Sequence, residues 1–123
     1  MIIENKFKIW WDEDLKIARA QAFGLLDEET ARQIKEETDK IRRARQEKLD
    51  WLIDLSQMTK ATSRARKILV EITADPSINK YAFVGASIFI RTVANFIVAA
   101  AGQKNAKHFS TEELALNWMR EAE

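Results

Sequence analysis

The sequence predicts an α/β fold: a mixed sheet of about five strands with four α-helices, in the order β-β-α-β-α-β-α-β-α. Three observations predict it. Two runs near the N-terminus, Lys6 to Trp11 and Leu15 to Phe23, alternate with period two and read as a hairpin. Two short apolar runs, Trp51 to Leu55 and Tyr81 to Gly85, read as buried central strands. Segments of helical period, each with a capping residue, separate and follow them. After the hairpin, strand and helix alternate, so the later strands are expected to be mostly parallel with right-handed crossovers.

In the first run Phe7, Ile9 and Trp11 share a side, with Lys6, Lys8 and Trp10 opposite. Asp12-Glu13-Asp14 forms a polar turn. The second run sets Ile17, Arg19, Gln21 and Phe23 against Lys16, Ala18, Ala20 and Ala22, a small face that lets a helix lie close. Gly24 is expected to end this strand. Asp27 then caps a helix with Glu28 and Glu29 in its first turn and Ala31, Ile34, Thr38, Ile41 and Arg45 at helical spacing. It is acidic early and basic late, complementing the helix dipole. It reads as a solvated surface helix, with a basic docking patch at Arg42, Arg43 and Arg45 as the competing reading.

Ser56 to Thr62 reads as a polar loop, followed by a helix from Ser63 to Thr73 that presents Ala65, Ile68, Leu69 and Ile72 on one face. Ala74-Asp75-Pro76-Ser77 breaks the chain. Ser87 caps a helix running to Ala101, and Gly102 stops it. A short strand is expected near Lys107-His108-Phe109. Ser110 with Glu113 resembles a capping box for a last helix carrying Leu114, Leu116, Trp118 and Met119.

Composition bounds the function. At 123 residues the chain is expected to form one domain, residues 1–123, and 46% hydrophobic with 32% charged residues is globular usage. With no cysteine there is no disulfide, thiolate metal site or cysteine nucleophile. Twenty basic against 19 acidic residues leave a net charge of +1, which disfavours nucleic-acid binding through a globally basic surface. The N-terminal stretch, with Lys6 and Lys8 in it, reads as neither signal peptide nor membrane span. The apolar region from Ile88 to Ala101 falls short of the roughly 20 residues that cross a bilayer. Cytoplasmic residence is the default. No phosphate-loop, nucleophile-elbow or zinc-protease motif occurs, and the acid clusters at Asp12-Glu13-Asp14 and Asp27-Glu28-Glu29 read as a turn and a helix start. No catalytic residue, metal or cofactor is expected. The lone His108 reads as structural. Trp11, Trp51 and Trp118 read as core, and Trp10 as an exposed contact.

The element order and three local sequences carry a family resemblance: Leu52-Ile53-Asp54-Leu55-Ser56-Gln57-Met58, Ser87 to Phe96, and Phe109 to Trp118. Together they resemble the SpoIIAA-like branch of the STAS domains, a group also described as STAS/Sec14-like. The resemblance spans nearly the whole chain. It implies a non-catalytic regulatory or interaction module. It also implies a regulatory loop, here Ser56, Thr59 and Thr62, and a phosphorylated serine opening the second helix, here Ser63. The flanks depart from the family pattern: Thr62 stands in place of an acid, Arg64 of Ser or Thr, and Ala65 of Gly.

The helix from Ile88 to Ala101 is more apolar than one sheet face requires. Ser87, Arg91 and Asn95 form one narrow polar stripe, and Ile88, Phe89, Ile90, Val93, Phe96, Ile97 and Val98 take most of the remaining circumference. Three explanations stand: core packing, a homodimer interface, or a lipid-like ligand or membrane-surface site such as the Sec14-like resemblance allows. The leading expectation is association with a protein partner or a second copy through Ile88, Phe89, Arg91, Asn95 and Phe96. The alternative is a small hydrophobic ligand or lipid with membrane-surface association. Arg91, a charge in an apolar helix, must reach solvent, a carboxylate or an anionic head group.

Overall fold

The computed structural model describes residues 2–3 and 6–121. Its strands are β1 (Ile2–Ile3), β2 (Phe7–Asp12), β3 (Ile17–Leu26), β4 (Leu49–Ala61), β5 (Ile78–Val84) and β6 (Ala106–Phe109). Its helices are α1 (Glu28–Arg45), α2 (Ser63–Thr73), α3 (Ile88–Ala101) and α4 (Glu112–Met119). Strands β2 to β6 and the four helices follow the expected order, and the two-residue β1 adds an antiparallel edge. Strands lie in the sheet in chain order, with β2/β3 antiparallel and β3/β4, β4/β5 and β5/β6 parallel.

This winding explains the layers. Successive crossovers of one hand, all stepping the same way along a sheet, deposit their helices on the same face. One core accordingly joins Ala31 of α1, Ala65 of α2 and Ile90 and Ala94 of α3 to Phe7, Ile9, Trp51, Ile53, Tyr81 and Phe83 of the sheet. Ala18 and Ala22 are buried in it, so the small face of β3 does receive a helix. Among the described residues the opposite face is covered by α4 alone, whose Ala115 packs with Ile17, Leu52 and Ala82. Lys80 fastens α4 there: its buried Nζ donates to the Trp118 carbonyl at 2.8 Å and the Glu121 carbonyl at 3.0 Å, where the helix dipole is negative.

Several boundaries differ from expectation. Gly24 does not end β3, which runs on to Leu26; the glycine takes φ +63° beside a register shift. Ser56 to Thr62 is not a loop, because β4 continues to Ala61. The pairing explains why. From Gln21↔Asp54 to Phe23↔Gln57, and again from Gly24↔Met58 to Leu25↔Lys60, β4 advances one residue more than β3. Each extra residue is a bulge that breaks the two-residue alternation. Burial therefore falls on Leu55, Met58 and Ala61, three apart, which does not read as a strand. The cap of α4 is Thr111, whose hydroxyl accepts from the Leu114 N–H, and not Ser110. The other expected caps stand: Asp27 accepts from the Thr30 N–H at 2.9 Å, and Ser87 from the Ile90 N–H at 3.2 Å.

Two of the three residues of the basic patch are engaged within the fold, while Arg43 is exposed. Arg42 is part-buried and donates to Asp75 at 2.9 Å and to the Ile72 carbonyl at 2.8 Å, while Arg45 lies 4.1 Å over the Trp11 ring. Trp10 is half-buried, flanked by Lys8 and Arg19.

Candidate interaction surface

Helix α3 meets the core with Ile90, Ala94 and Ile97. These follow the spacing that places side chains on one helical face. Core packing therefore accounts for one side only. On the other, Ile88 is 83% exposed, Phe89 60% and Phe96 64%. Each gains about 1.5–3 kcal/mol on moving fully out of water, so three together make an apolar stripe with a clear drive to be covered. Thr92 lies between them, its hydroxyl turned back to the Ile88 carbonyl at 3.1 Å. Arg91 and Asn95 are also exposed. The structure thus brings all five residues expected on this surface to the outside of one helix, and Arg91 reaches solvent.

The start of α3 is tightly built. Gly85 has φ +72°, and a Cβ there would stand 3.1 Å from the Ser56 Cβ, so β4 and the end of β5 approach closely. His108 of β6 holds the next residue: its Nε2 accepts from the Ala86 N–H at 3.1 Å, which requires that nitrogen unprotonated. Burial and then the charge of Arg91 push its imidazole below the ordinary value of 6.5. His108 is structural, as expected.

The residues expected to regulate lie along the far half of β4 and the start of α2. Ser56 and Thr59 are exposed positions of the bulged strand. Thr62 is the cap of α2, accepting from the Ala65 N–H at 3.1 Å. Ser63 is the exposed first residue of that helix. Beside it Arg64 lies 3.6 Å from Glu28, and Arg66 donates to the Ala61 carbonyl at 2.9 Å.

Two acids elsewhere, Asp12 and Glu112, are engaged by one arginine. Arg19 pairs with Asp12 at 3.2 Å and with Glu112, tying β3 to α4. The Leu15 N–H, outweighing some desolvation, and then Arg19 hold the Asp12 carboxyl below its usual range. Among the described residues no group of three or more His, Asp or Glu side chains is placed to hold a metal ion. No helix among them is long and apolar enough to cross a membrane.

Sequence reasoning missed one feature. Between the sheet and α1, α2 and α3 lies an apolar chamber of about 90 Å³, walled by residues including Phe7, Leu26, Ile53, Met58 and Ile90. Thr38, Arg42, Trp51, Thr73 and Tyr81 are also among its lining residues. Trp51 Nε1 and Arg42 Nε are buried without an acceptor. A signal existed in Thr38 and Arg42, polar residues on the core side of α1, but a void between elements has no one-dimensional pattern.

Comparisons with known proteins agree with this architecture. The family model described as SpoIIAA-like matches residues 17–120. An uncharacterized protein of the DUF3478 family with a SpoIIAA-like fold, from Shewanella loihica, superposes with a TM-score of 0.69 at 16% identity, over 91% of this chain and 90% of that one. The anti-sigma factor antagonist SpoIIAA in its unphosphorylated form gives 0.68 at 14% identity, over 94% and 99%. The Bacillus cell fate determinant SpoIIAA in its phosphorylated form gives 0.66 at 15% identity, over 93% and 99%. No curated protein matches the sequence.

Proposed function

The chain belongs to the SpoIIAA-like family, and from that premise we propose that it is a non-catalytic interaction module that self-associates through the outer face of α3. The observation that carries this reading is the exposure of Ile88, Phe89 and Phe96 on one uncharged helical stripe. In a two-fold contact the same patch meets itself, so a charge near the axis would face its own copy. This stripe holds none, and Arg91 stands at its flank. Small Ala99 and Ala100 follow the large rings and leave room for the partner's knobs.

The winding offers no default ligand crevice, which leaves the outer helical face as the feature to explain. Open α/β sheets place ligands where the strand order reverses. Among the described strands the order never reverses.

Ser63 is the residue we propose for control, on the precedent of a SpoIIAA captured in phosphorylated form. It is exposed in the first turn of α2, where the helix dipole favours a phosphate. Cytoplasmic residence goes with this reading.

Light scattering from 5 to 100 µM, roughly the range of a modest interface, tests it. The wild-type chain is expected to approach twice the mass of a Phe89→Asp/Phe96→Asp variant that keeps its circular dichroism. Equal monomeric masses would sink self-association. Binding of the wild type but not the variant to phospholipid vesicles would favour the hydrophobic-ligand or lipid-surface alternative instead.

A further inference from the structure

We infer that the contact between His108 and Ala86 is a proton-operated latch: in mildly acidic solution it opens, the first turn of α3 loosens, and self-association through the apolar stripe weakens. This deepens the self-association reading and rests on it for that last step. The latch follows from how α3 is attached. β5 ends at Val84 and α3 begins at Ile88, so Gly85, Ala86 and Ser87 make the connection. Among the described residues two hydrogen bonds tie this connection to the rest of the fold, and in both the acceptor belongs to β6. The Gly85 N–H donates to the Phe109 carbonyl at 3.1 Å, and the Ala86 N–H to His108 Nε2 at 3.1 Å. The Ser87 hydroxyl accepts from the Ile90 N–H at 3.2 Å, within the helix itself, and moves with it.

One of these two acceptors is lost on protonation. A neutral imidazole offers one ring nitrogen as acceptor, and an imidazolium offers none. Two N–H donors would then face each other where a hydrogen bond stood. Ala86 is 7% exposed, and a buried donor without an acceptor is costly. Arg91, on the first turn of α3, is the charged group that acts on the ring, and it has the same sign as an imidazolium. From β5, Phe83 is in register with His108, and Tyr81, stacked on Phe83, is a phenol that burial keeps neutral. Lys107, the neighbour in β6, is turned to the far face, over the Trp118 ring at 5.4 Å. Among the described residues no carboxylate acts on His108 to hold its proton in place. The proton is therefore accommodated by moving the start of α3 away from β6. Ile88 and Phe89, two of the three large side chains of the stripe, stand two and three positions after Ala86. The stripe loses its shape where the latch opens.

His108 is the only histidine in the sequence, so from about pH 7.5 to about 5.5 it is the one side chain whose ordinary value lies in the range. His108→Gln keeps an acceptor for Ala86 and has no proton to take up. Two measurements on the intact chain test the latch. Hydrogen exchange of the Arg91 N–H, bonded to the Ser87 carbonyl at 2.8 Å, reads the first turn whether or not copies pair. Corrected for the intrinsic pH dependence of exchange, its protection in the wild type is expected to fall about fivefold across that range, the worth of one net hydrogen bond. In His108→Gln it is expected to stay level. Light scattering reads the consequence: the wild-type dimer is expected to weaken by at least about fivefold over the same range, and the His108→Gln dimer to hold. Should His108→Gln fold poorly, the wild-type Ala86 amide resonance decides, since it is expected to titrate with the same midpoint as the His108 ring protons. Unequal midpoints, or equal protection profiles in the two chains, overturn the latch. A dimer whose affinity ignores pH while the latch opens overturns its coupling to association. A wild type that is monomeric throughout sinks the self-association reading instead, and the exchange profiles then still decide the latch.

Discussion

Helices α1 and α3 cover the same face of the same sheet, yet they meet water in opposite ways. On α1 the outward residues satisfy one another: Arg32 with Glu28 at 2.6 Å, Lys35 with Asp39 at 3.0 Å, and Lys40 with Glu37 at 2.8 Å. On α3 the outward residues include Ile88, Phe89 and Phe96, which have nothing to offer water, beside the polar edge of Arg91 and Asn95. Both helices bury an inner face and both are capped. The difference teaches that packing against the sheet does not account for the composition of α3. A helix selected only to cover a sheet would look like α1.

The contrast is sharpest between the two sides of α3 itself. Ile90→Ala, at a side chain 1% exposed, is expected to cost about 2–5 kcal/mol of unfolding free energy. Phe89→Ala is expected to stay within about 0.5 kcal/mol when measured in urea at monomer concentrations. Similar losses at both positions would erase the distinction between the faces. Next in size is Gly85→Ala at the start of α3. A left-handed backbone and a close Ser56 neighbour predict a loss of about 1–2 kcal/mol. The caps come third: Asp27→Ala on α1 and Ser87→Ala on α3 are each expected to cost about 1 kcal/mol. Equal values would show that the helices differ in surface and not in local stability.

A pH effect follows. In the folded chain His108 takes up its proton at lower pH than its ordinary 6.5, through burial and then Arg91. The unfolded chain therefore binds that proton first, and stability rises with pH across this range. The contribution is complete above about pH 6.5 and fades as pH falls through that value toward the folded pKa. Between pH 7.5 and 5.5, His108→Gln is expected to show a flatter Tm profile than the wild type. Smallest is Arg32→Ala on α1, expected to change stability by no more than about 0.5 kcal/mol. A larger loss would mean that the α1 ion pairs are more than a solvated surface.

What the sequence disclosed depended on whether a feature is local. Both ends of α3 were legible to the residue, because a serine cap and a left-handed glycine act within one turn. The excess apolar character of that helix was legible too, but which residues faced outward required its packing partner. β4 was legible only to Leu55, because two bulges against β3 interrupt its alternation. Arg42 looked like surface charge, since its partner Asp75 lies 33 residues away. The chamber arises from how three helices and a sheet fail to fill space, and no single segment records it.

The chain-order arrangement of the strands bears on how the molecule assembles. Each parallel pair is joined across a single helix, of 18, 11 or 14 residues. Loop-closure entropy grows only logarithmically, about 0.6 kcal/mol per doubling of length. The three closures therefore carry nearly equal penalties, and no strand waits for a distant one to arrive. Such a chain can add one strand and one helix at a time outward from the β2/β3 hairpin. Its folding rate then reflects short separations throughout, unlike that of sheets whose central strands come from opposite ends of the sequence.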